Sequence, residues 1–232
     1  MSDQVPVEQE IVIDCKEKKF DDCVFYGELN ENNEMHGYGQ LCFFNGDECV
    51  GQFQNDHIHG YATLTTQHYK YTGSFISGQR TGKGRMEWPD GDVYEGSFLN
   101  GVFDGEGTMK WGNKCVHSGI YKNGDKCGFG TFVHADKTVF EGTYLNNLRN
   151  GSGKFTFTNG NFFTGEFVNN QLLRGTMVFG SGKECKFELS QEIVEIENAN
   201  QFIYDSIVGK LMKEEIKIEE LNENEKKMVF CE

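Results

Sequence analysis

The stretch that decides the fold is Tyr94-Glu95-Gly96-Ser97-Phe98-Leu99-Asn100-Gly101-Val102-Phe103-Asp104-Gly105-Glu106-Gly107-Thr108-Met109-Lys110-Trp111. Asn-Gly signals a two-residue turn with both φ angles positive, and period-two alternation on either side of it marks a β-hairpin. Tyr94, Gly96 and Phe98 then share one face of the first strand, and Gly107, Met109 and Trp111 one face of the second. Glu95, Ser97 and Lys110 fall on the opposite, wet face. Pairing Tyr94 with Trp111 sets Gly96 opposite Met109 and Phe98 opposite Gly107. Across Pro89-Asp90-Gly91 the same arithmetic sets Trp88 opposite Tyr94, Met86 opposite Gly96 and Gly84 opposite Phe98. Large side chains therefore lean over glycines, whose bare backbone leaves room for a ring, and the ring offsets the weak strand propensity of glycine.

Working outward, the unit repeats. An aromatic or apolar residue, a spacer and a glycine recur at Phe25-Tyr26-Gly27, Cys49-Val50-Gly51, Tyr71-Thr72-Gly73, Tyr94-Glu95-Gly96, His117-Ser118-Gly119, Phe140-Glu141-Gly142 and Phe163-Thr164-Gly165, with His117 the polar exception. Successive glycines, Gly27, Gly51, Gly73, Gly96, Gly119, Gly142 and Gly165, lie 24, 22, 23, 23, 23 and 23 residues apart. Nine residues after most of them comes a G-x-G, as at Gly82 and Gly84, Gly105 and Gly107, Gly128 and Gly130, and Gly151 and Gly153. The first unit is one residue longer, the second has Ala62 after Gly60, and the seventh keeps only Gly175. Turn pairs fall within units at Asn123-Gly124 and between them at Asn45-Gly46 and Asn159-Gly160. Such a period marks hairpins that follow one another as a meander.

The Y-x-G-x-aromatic, N-G and G-x-G-x-apolar-x-aromatic signature resembles the MORN repeat, most clearly over residues 71–92, 94–113 and 140–161. The resemblance implies a rod-like sheet of hairpins, a family setting that includes junctional membrane proteins, cytoskeletal organisers, and regulatory segments of lipid kinases and SET-domain methyltransferases. The expected fold class is all-β: an elongated single-layer antiparallel meander of seven MORN β-hairpin repeats over residues 25–189, with a C-terminal α-helix. A lead of residues 1–24 can supply an edge strand at Ile11-Val12-Ile13. In the helical segment 190–232, Ile193, Ile196, Ile203, Ile207 and Leu211 recur at helical spacing. Ser190 serves as N-cap, and Glu192, Glu195 and Glu197 lie near the start, where the helix dipole favours acids. That helix reads as a cap for the last hairpin or as a partner-binding segment.

Composition removes other classes. A formal charge of −14 disfavours nucleic acid and opposes adsorption to anionic lipid. The chain shows no secretory h-region and no apolar run long enough to span a bilayer, so it is expected to be cytoplasmic, or peripheral to a membrane or the cytoskeleton. Eight cysteines without a C-x-x-C pair read as free thiols, and the Asn150-Gly151-Ser152 sequon is discounted with them. The G-x-G pairs lack the third glycine and the βαβ setting of a dinucleotide fingerprint, and no Walker A, G-x-S-x-G or H-E-x-x-H motif occurs. His57 and His59 lack further nearby ligands for a metal. His117 and His134 take aromatic positions and are expected to face each other across the hairpin.

The expected function is a non-enzymatic scaffold for protein–protein interaction, with no cofactor and no catalytic or metal residue. Phe75, Trp88, Phe98, Trp111, Tyr121 and Tyr144 are the candidate partner groove, because a single-layer sheet offers no second layer to cover them. The occupant is read as a peptide, a helix or a second copy in a homodimer. Direct binding of acidic phospholipid, phosphoinositide or phosphatidylserine, is one alternative. A regulatory segment related to the kinases or methyltransferases is the other.

Overall fold

The computed structural model describes residues 15–188. Every strand in it pairs with its neighbours in chain order, giving one antiparallel sheet of sixteen strands. They are β1 (Lys16–Lys19), β2 (Cys23–Leu29), β3 (Met35–Phe43), β4 (Glu48–Gln54), β5 (His57–Thr65), β6 (Lys70–Ile76), β7 (Gln79–Glu87) and β8 (Val93–Leu99). There follow β9 (Val102–Lys110), β10 (Val116–Lys122), β11 (Asp125–Val133), β12 (Val139–Leu145), β13 (Leu148–Thr156), β14 (Phe162–Val168), β15 (Gln171–Val178) and β16 (Glu184–Glu188). Seven hairpins, β2–β3 to β14–β15, thus run between two single edge strands. The edge strand at the start is Lys16–Lys19. Both Ile11-Val12-Ile13 and the expected C-terminal helix lie outside the described residues.

Turn chemistry accounts for the spacing. Within six of the seven hairpins the chain reverses over two residues that both have positive φ, among them Asn100 (50°) with Gly101 (86°), Asn123 (51°) with Gly124 (92°), and the less obvious pairs Ser77–Gly78 and Asn146–Asn147; the longer turn of the first hairpin has one, Asn33. In five of the six loops between hairpins the loop is three residues closed by a positive φ, supplied by Gly46, Gly91 and Gly160 and by Lys114 and Lys137; the loop from β5 to β6 is shorter, the Thr66 amide donating to the Tyr69 carbonyl, with no positive φ.

The register differs from the sequence-based expectation by two residues. Trp88 pairs through its amide with Asp92, so the loop is Pro89 to Gly91 and Met86, not Trp88, faces Tyr94. On the other side Tyr94 faces Met109 and Phe98 faces Phe103, with a bulge between Gly96 and Phe98 taking up the extra residues. Side chains keep their faces, because the displacement is an even number. Glycines consequently face glycines. The cross-strand line Gly27, Gly39, Gly51, Ala62, Gly73, Gly84, Gly96, Gly107, Gly119, Gly130, Gly142, Gly153, Gly165, Gly175 crosses fourteen strands without stagger.

That line is what lets one layer bury a core. In an extended strand residues i and i+4 lie about 13 Å apart, yet the rings of Tyr94 and Phe98 meet at 5.2 Å, of Tyr71 and Phe75 at 5.1 Å, and of Phe140 and Tyr144 at 5.6 Å. The glycine at i+2 leaves the intervening space empty, so ring i leans forward and ring i+4 leans back. Each leading ring also meets the second ring of the next hairpin: Tyr71 with Phe98 at 5.0 Å, Tyr94 with Tyr121 at 5.3 Å, His117 with Tyr144 at 5.1 Å, Phe140 with Phe167 at 5.1 Å. The result is an unbroken zigzag of mostly edge-to-face contacts from Tyr71 to Phe163, the geometry that ring quadrupoles favour. A Cβ at Gly107 would stand 2.3 Å from the Tyr94 hydroxyl, and one at Gly84 2.4 Å from that of Tyr71. Each fully buried ring is worth about 1.5–3 kcal/mol, and Tyr71, Tyr94, Phe140 and Phe155 are among those buried completely.

Candidate functional site

The face opposite the rings is made of the spacer residues. Along its middle the glycine line presents backbone only, so side chains on either side stand as two walls over an open trough of about 1000 Å3. Its floor is Gly84, Gly96, Gly107, Gly119 and Gly130. One wall carries Thr72, Arg85, Glu95, Thr108, Ser118 and Thr131; the other carries Tyr61, Lys83, Glu106, Ile120 and Phe129. Beyond Phe129 the depression continues past Glu141, Lys154, Thr164 and Glu166.

Exposed apolar groups gather on this face. Phe129 is 62 % exposed, Tyr61 58 % and Tyr38 53 %, all three at the middle of a G-x-G or its equivalent. By strand alternation Tyr26, Val50, Ile120 and the hairpin-tip residues Ile76, Leu99, Leu145 and Val168 project the same way. Phe44, in an inter-hairpin loop, is the exception among the exposed large hydrophobics of the described residues.

Charges in the trough balance. Lys70, Lys83 and Arg85 stand against Glu87, Glu95 and Glu106. Arg85 is held by Glu87 at 2.7 Å and by Glu95 at 3.4 Å, whereas Lys83 and Glu106 make no ion pair among the described residues. The hydroxyls pair with each other, Thr63 with Thr72 at 3.1 Å and Thr108 with Ser118 at 3.0 Å, rather than with a base. Among the described residues no group of three or more His, Cys, Asp or Glu is placed to hold a metal ion.

The six residues expected to line a partner groove lie on the ring face. Phe75, Phe98, Tyr121 and Tyr144 are buried to 2, 3, 5 and 6 % exposure, because the leaning rings fill the space that an occupant would need. Trp88 and Trp111 are half-buried at its rim. The seven repeat-defining glycines, Gly27 to Gly165, all stand on the glycine line. The residues that sequence reasoning missed are Tyr38, Tyr61 and Phe129. Their signal was available, since each puts an aromatic where alternation calls for a polar side chain.

The ring face holds two basic groups, Arg149 buried and Lys126 half-buried. Lys126 lies 5.4 Å from the Phe132 ring centroid and 5.5 Å from that of Tyr144, and Arg149 lies 5.3 Å from that of Phe140. Burial, followed by the neighbouring Arg149, lowers the Lys126 pKa. His117 and His134 do not face each other: His117 is opposite Phe132, and His134 opens the next loop, its amide donating to the Thr138 carbonyl. The tighter loop is again the reason. Burial pushes both imidazoles down to about 4, with Lys126 adding to it at His117 and Arg149 at His134. His117 bridges two apolar clusters, one ending at Tyr121 and one beginning at Phe140; its Nδ1 meets the Tyr121 hydroxyl at 2.8 Å while Nε2 has no hydrogen-bond partner among the described residues.

A family model described as MORN repeat matches residues 31–48, 49–66, 71–93, 94–116, 117–139 and 140–162. No curated protein sequence matches. Among solved structures, the wild-type TCP10 domain of Danio rerio CPAP is similar at 12% identity and a TM-score of 0.46, over 75% of this chain and 83% of that one. The SAS-4 (dCPAP) TCP domain of Drosophila melanogaster, solved with a proline-rich motif of Ana2 (dSTIL), is similar at 8% identity and a TM-score of 0.44, over 82% of this chain and 99% of that one.

Proposed function

The chain belongs to the MORN-repeat family, and from that premise we propose that it is a non-enzymatic scaffold whose trough docks a segment of a partner protein. The observation that carries this reading is the gathering of exposed aromatic and aliphatic side chains on the trough face, while the opposite face seals its own rings. Exposed apolar surface of that extent costs solubility unless something covers it. A floor of bare backbone lets a partner approach closely, and a repeating surface multiplies modest contacts.

The balanced charge of the walls supports a polypeptide over an anionic headgroup, which calls for clustered Lys and Arg. A photo-reactive phenylalanine analogue at position 129 of the full chain, expressed in cells and irradiated, should yield a discrete protein adduct. The same analogue at Phe132, on the ring face of the same strand, should yield none. Adducts from 132 alone, or lipid adducts at 129, would overturn the proposal.

A further inference from the structure

We propose that the docked segment is a polyproline-II helix lying across the strands, one turn per hairpin. This rests on the trough being the docking face, and it names the occupant by its period.

Because the glycine line has no stagger, equivalent wall residues of successive hairpins stand directly in line. Two strands occupy about 9.6 Å. A polyproline-II helix makes a turn in three residues at about 3.1 Å each, or about 9.3 Å, so the same face returns at every hairpin. An α-helix covers about 9.6 Å in about 6.4 residues, which turns its contact face by about 80° per hairpin. An extended strand uses about three residues, an odd number, and presents alternate faces. Only the polyproline-II period keeps one face on the trough.

The anchors give a sequence pattern. Tyr61 on β5 and Phe129 on β11 are six strands apart, about 29 Å, which matches nine residues at about 28 Å. Tyr38 on β3 stands one hairpin before Tyr61. Between the aromatics, on the same wall, come Lys83 and Glu106, neither in an ion pair among the described residues. An occupant with prolines at i−3, i and i+9 would therefore carry an acidic residue at i+3 against Lys83 and a basic one at i+6 against Glu106. Its backbone has no internal hydrogen bonds, so its carbonyls can accept from Thr and Ser hydroxyls of the facing wall.

The test uses the full chain and a fluorescein-labelled thirteen-residue peptide with Pro at positions 1, 4 and 13, Asp at 7 and Lys at 10, the rest Ser and Pro, read by anisotropy. Saturable binding is expected, weakened about ten-fold by Phe129→Ala, an exposed position whose truncation leaves the ring stack intact. A peptide with Lys at 7 and Asp at 10 should bind less well and recover on the Lys83→Glu, Glu106→Lys double variant. Absence of binding, or equal binding by Phe129→Ala, overturns the proposal. Tighter binding of an alanine-based helical peptide bearing the same anchors also overturns it; if Phe129→Ala weakens that helical peptide, the trough stands and only the polyproline-II assignment falls. A protein adduct from position 129 without binding of the proline peptide separates the two in the same way.

Discussion

Replacing Gly107 by alanine puts a methyl group 2.3 Å from the Tyr94 hydroxyl oxygen and 2.6 Å from the ring carbon that bears it. Tyr94 is fully buried, stacks on Phe103 at 3.7 Å and donates its hydroxyl to the Ser97 carbonyl at 3.1 Å, so the ring has no free direction in which to move. Overpacking of this kind costs about 1–3 kcal/mol, and loss of the hydrogen bond about 1 kcal/mol more, which gives about 2–4 kcal/mol in all. The three heavy atoms nearest to that methyl group all belong to Tyr94, so the ring is its first obstacle. Gly107→Ala in a Tyr94→Leu background should therefore cost less than about 1 kcal/mol, a coupling of at least about 1 kcal/mol. Gly124→Ala is the control: it has φ +92° with nothing within 4 Å, so its cost is backbone strain of about 1 kcal/mol and is independent of Tyr94. Urea unfolding followed by the chain's two tryptophans, Trp88 and Trp111, reads all of these. A loss under about 0.5 kcal/mol for Gly107→Ala, or simple additivity with Tyr94→Leu, would mean that the glycines are not there to admit the rings.

Other expectations follow from particular residues. His117 has a folded pKa near 4, below its unfolded value, so the unfolded chain binds the proton more tightly and stability falls as pH drops from about 6.5 toward 4. His117 and His134, both near 4 when folded, each contribute a loss of about 2 kcal/mol at pH 5 relative to pH 8, so His117→Phe should abolish about half of the total in urea titrations at the two pH values and leave the part that belongs to His134. Lys126→Met keeps the apolar stem and removes a half-buried charge with no ion pair among the described residues; its melting temperature should match or exceed that of the native chain, and its acid sensitivity should shrink because Lys126 no longer acts on His117. Lys137→Gly should stabilise by about 0.5–1 kcal/mol, because Lys137 holds φ 76° at the loop position that Gly46, Gly91 and Gly160 fill elsewhere; differential scanning calorimetry checks it.

Much of the architecture was legible because its determinants are local. The 23-residue period, the Asn-Gly turns and the alternation of rings and glycines each follow from a few adjacent residues. The pairing register depends on how many residues a loop consumes, and Pro89-Asp90-Gly91 closes more tightly than alternation alone reveals. That two-residue difference also separates His117 from His134. The docking face was misplaced for a physical reason: burial of Phe75, Phe98, Tyr121 and Tyr144 comes from rings leaning across empty glycine positions, an effect of three residues and two strands acting together. Tyr61 and Phe129 were legible as anomalies, yet only their exposure shows that they face a trough.

Hydroxyl-radical footprinting of the full chain, alone and with the partner captured at position 129, examines both faces at once. Tyr38, Tyr61 and Phe129 should oxidise rapidly in the free chain and become protected in the complex, while Tyr71, Tyr94 and Phe155 stay slow in both. Rapid oxidation of Tyr71 and Tyr94, or protection confined to Trp88 and Trp111 with Phe129 still reactive, would place the partner on the ring face and contradict the assignment of the trough.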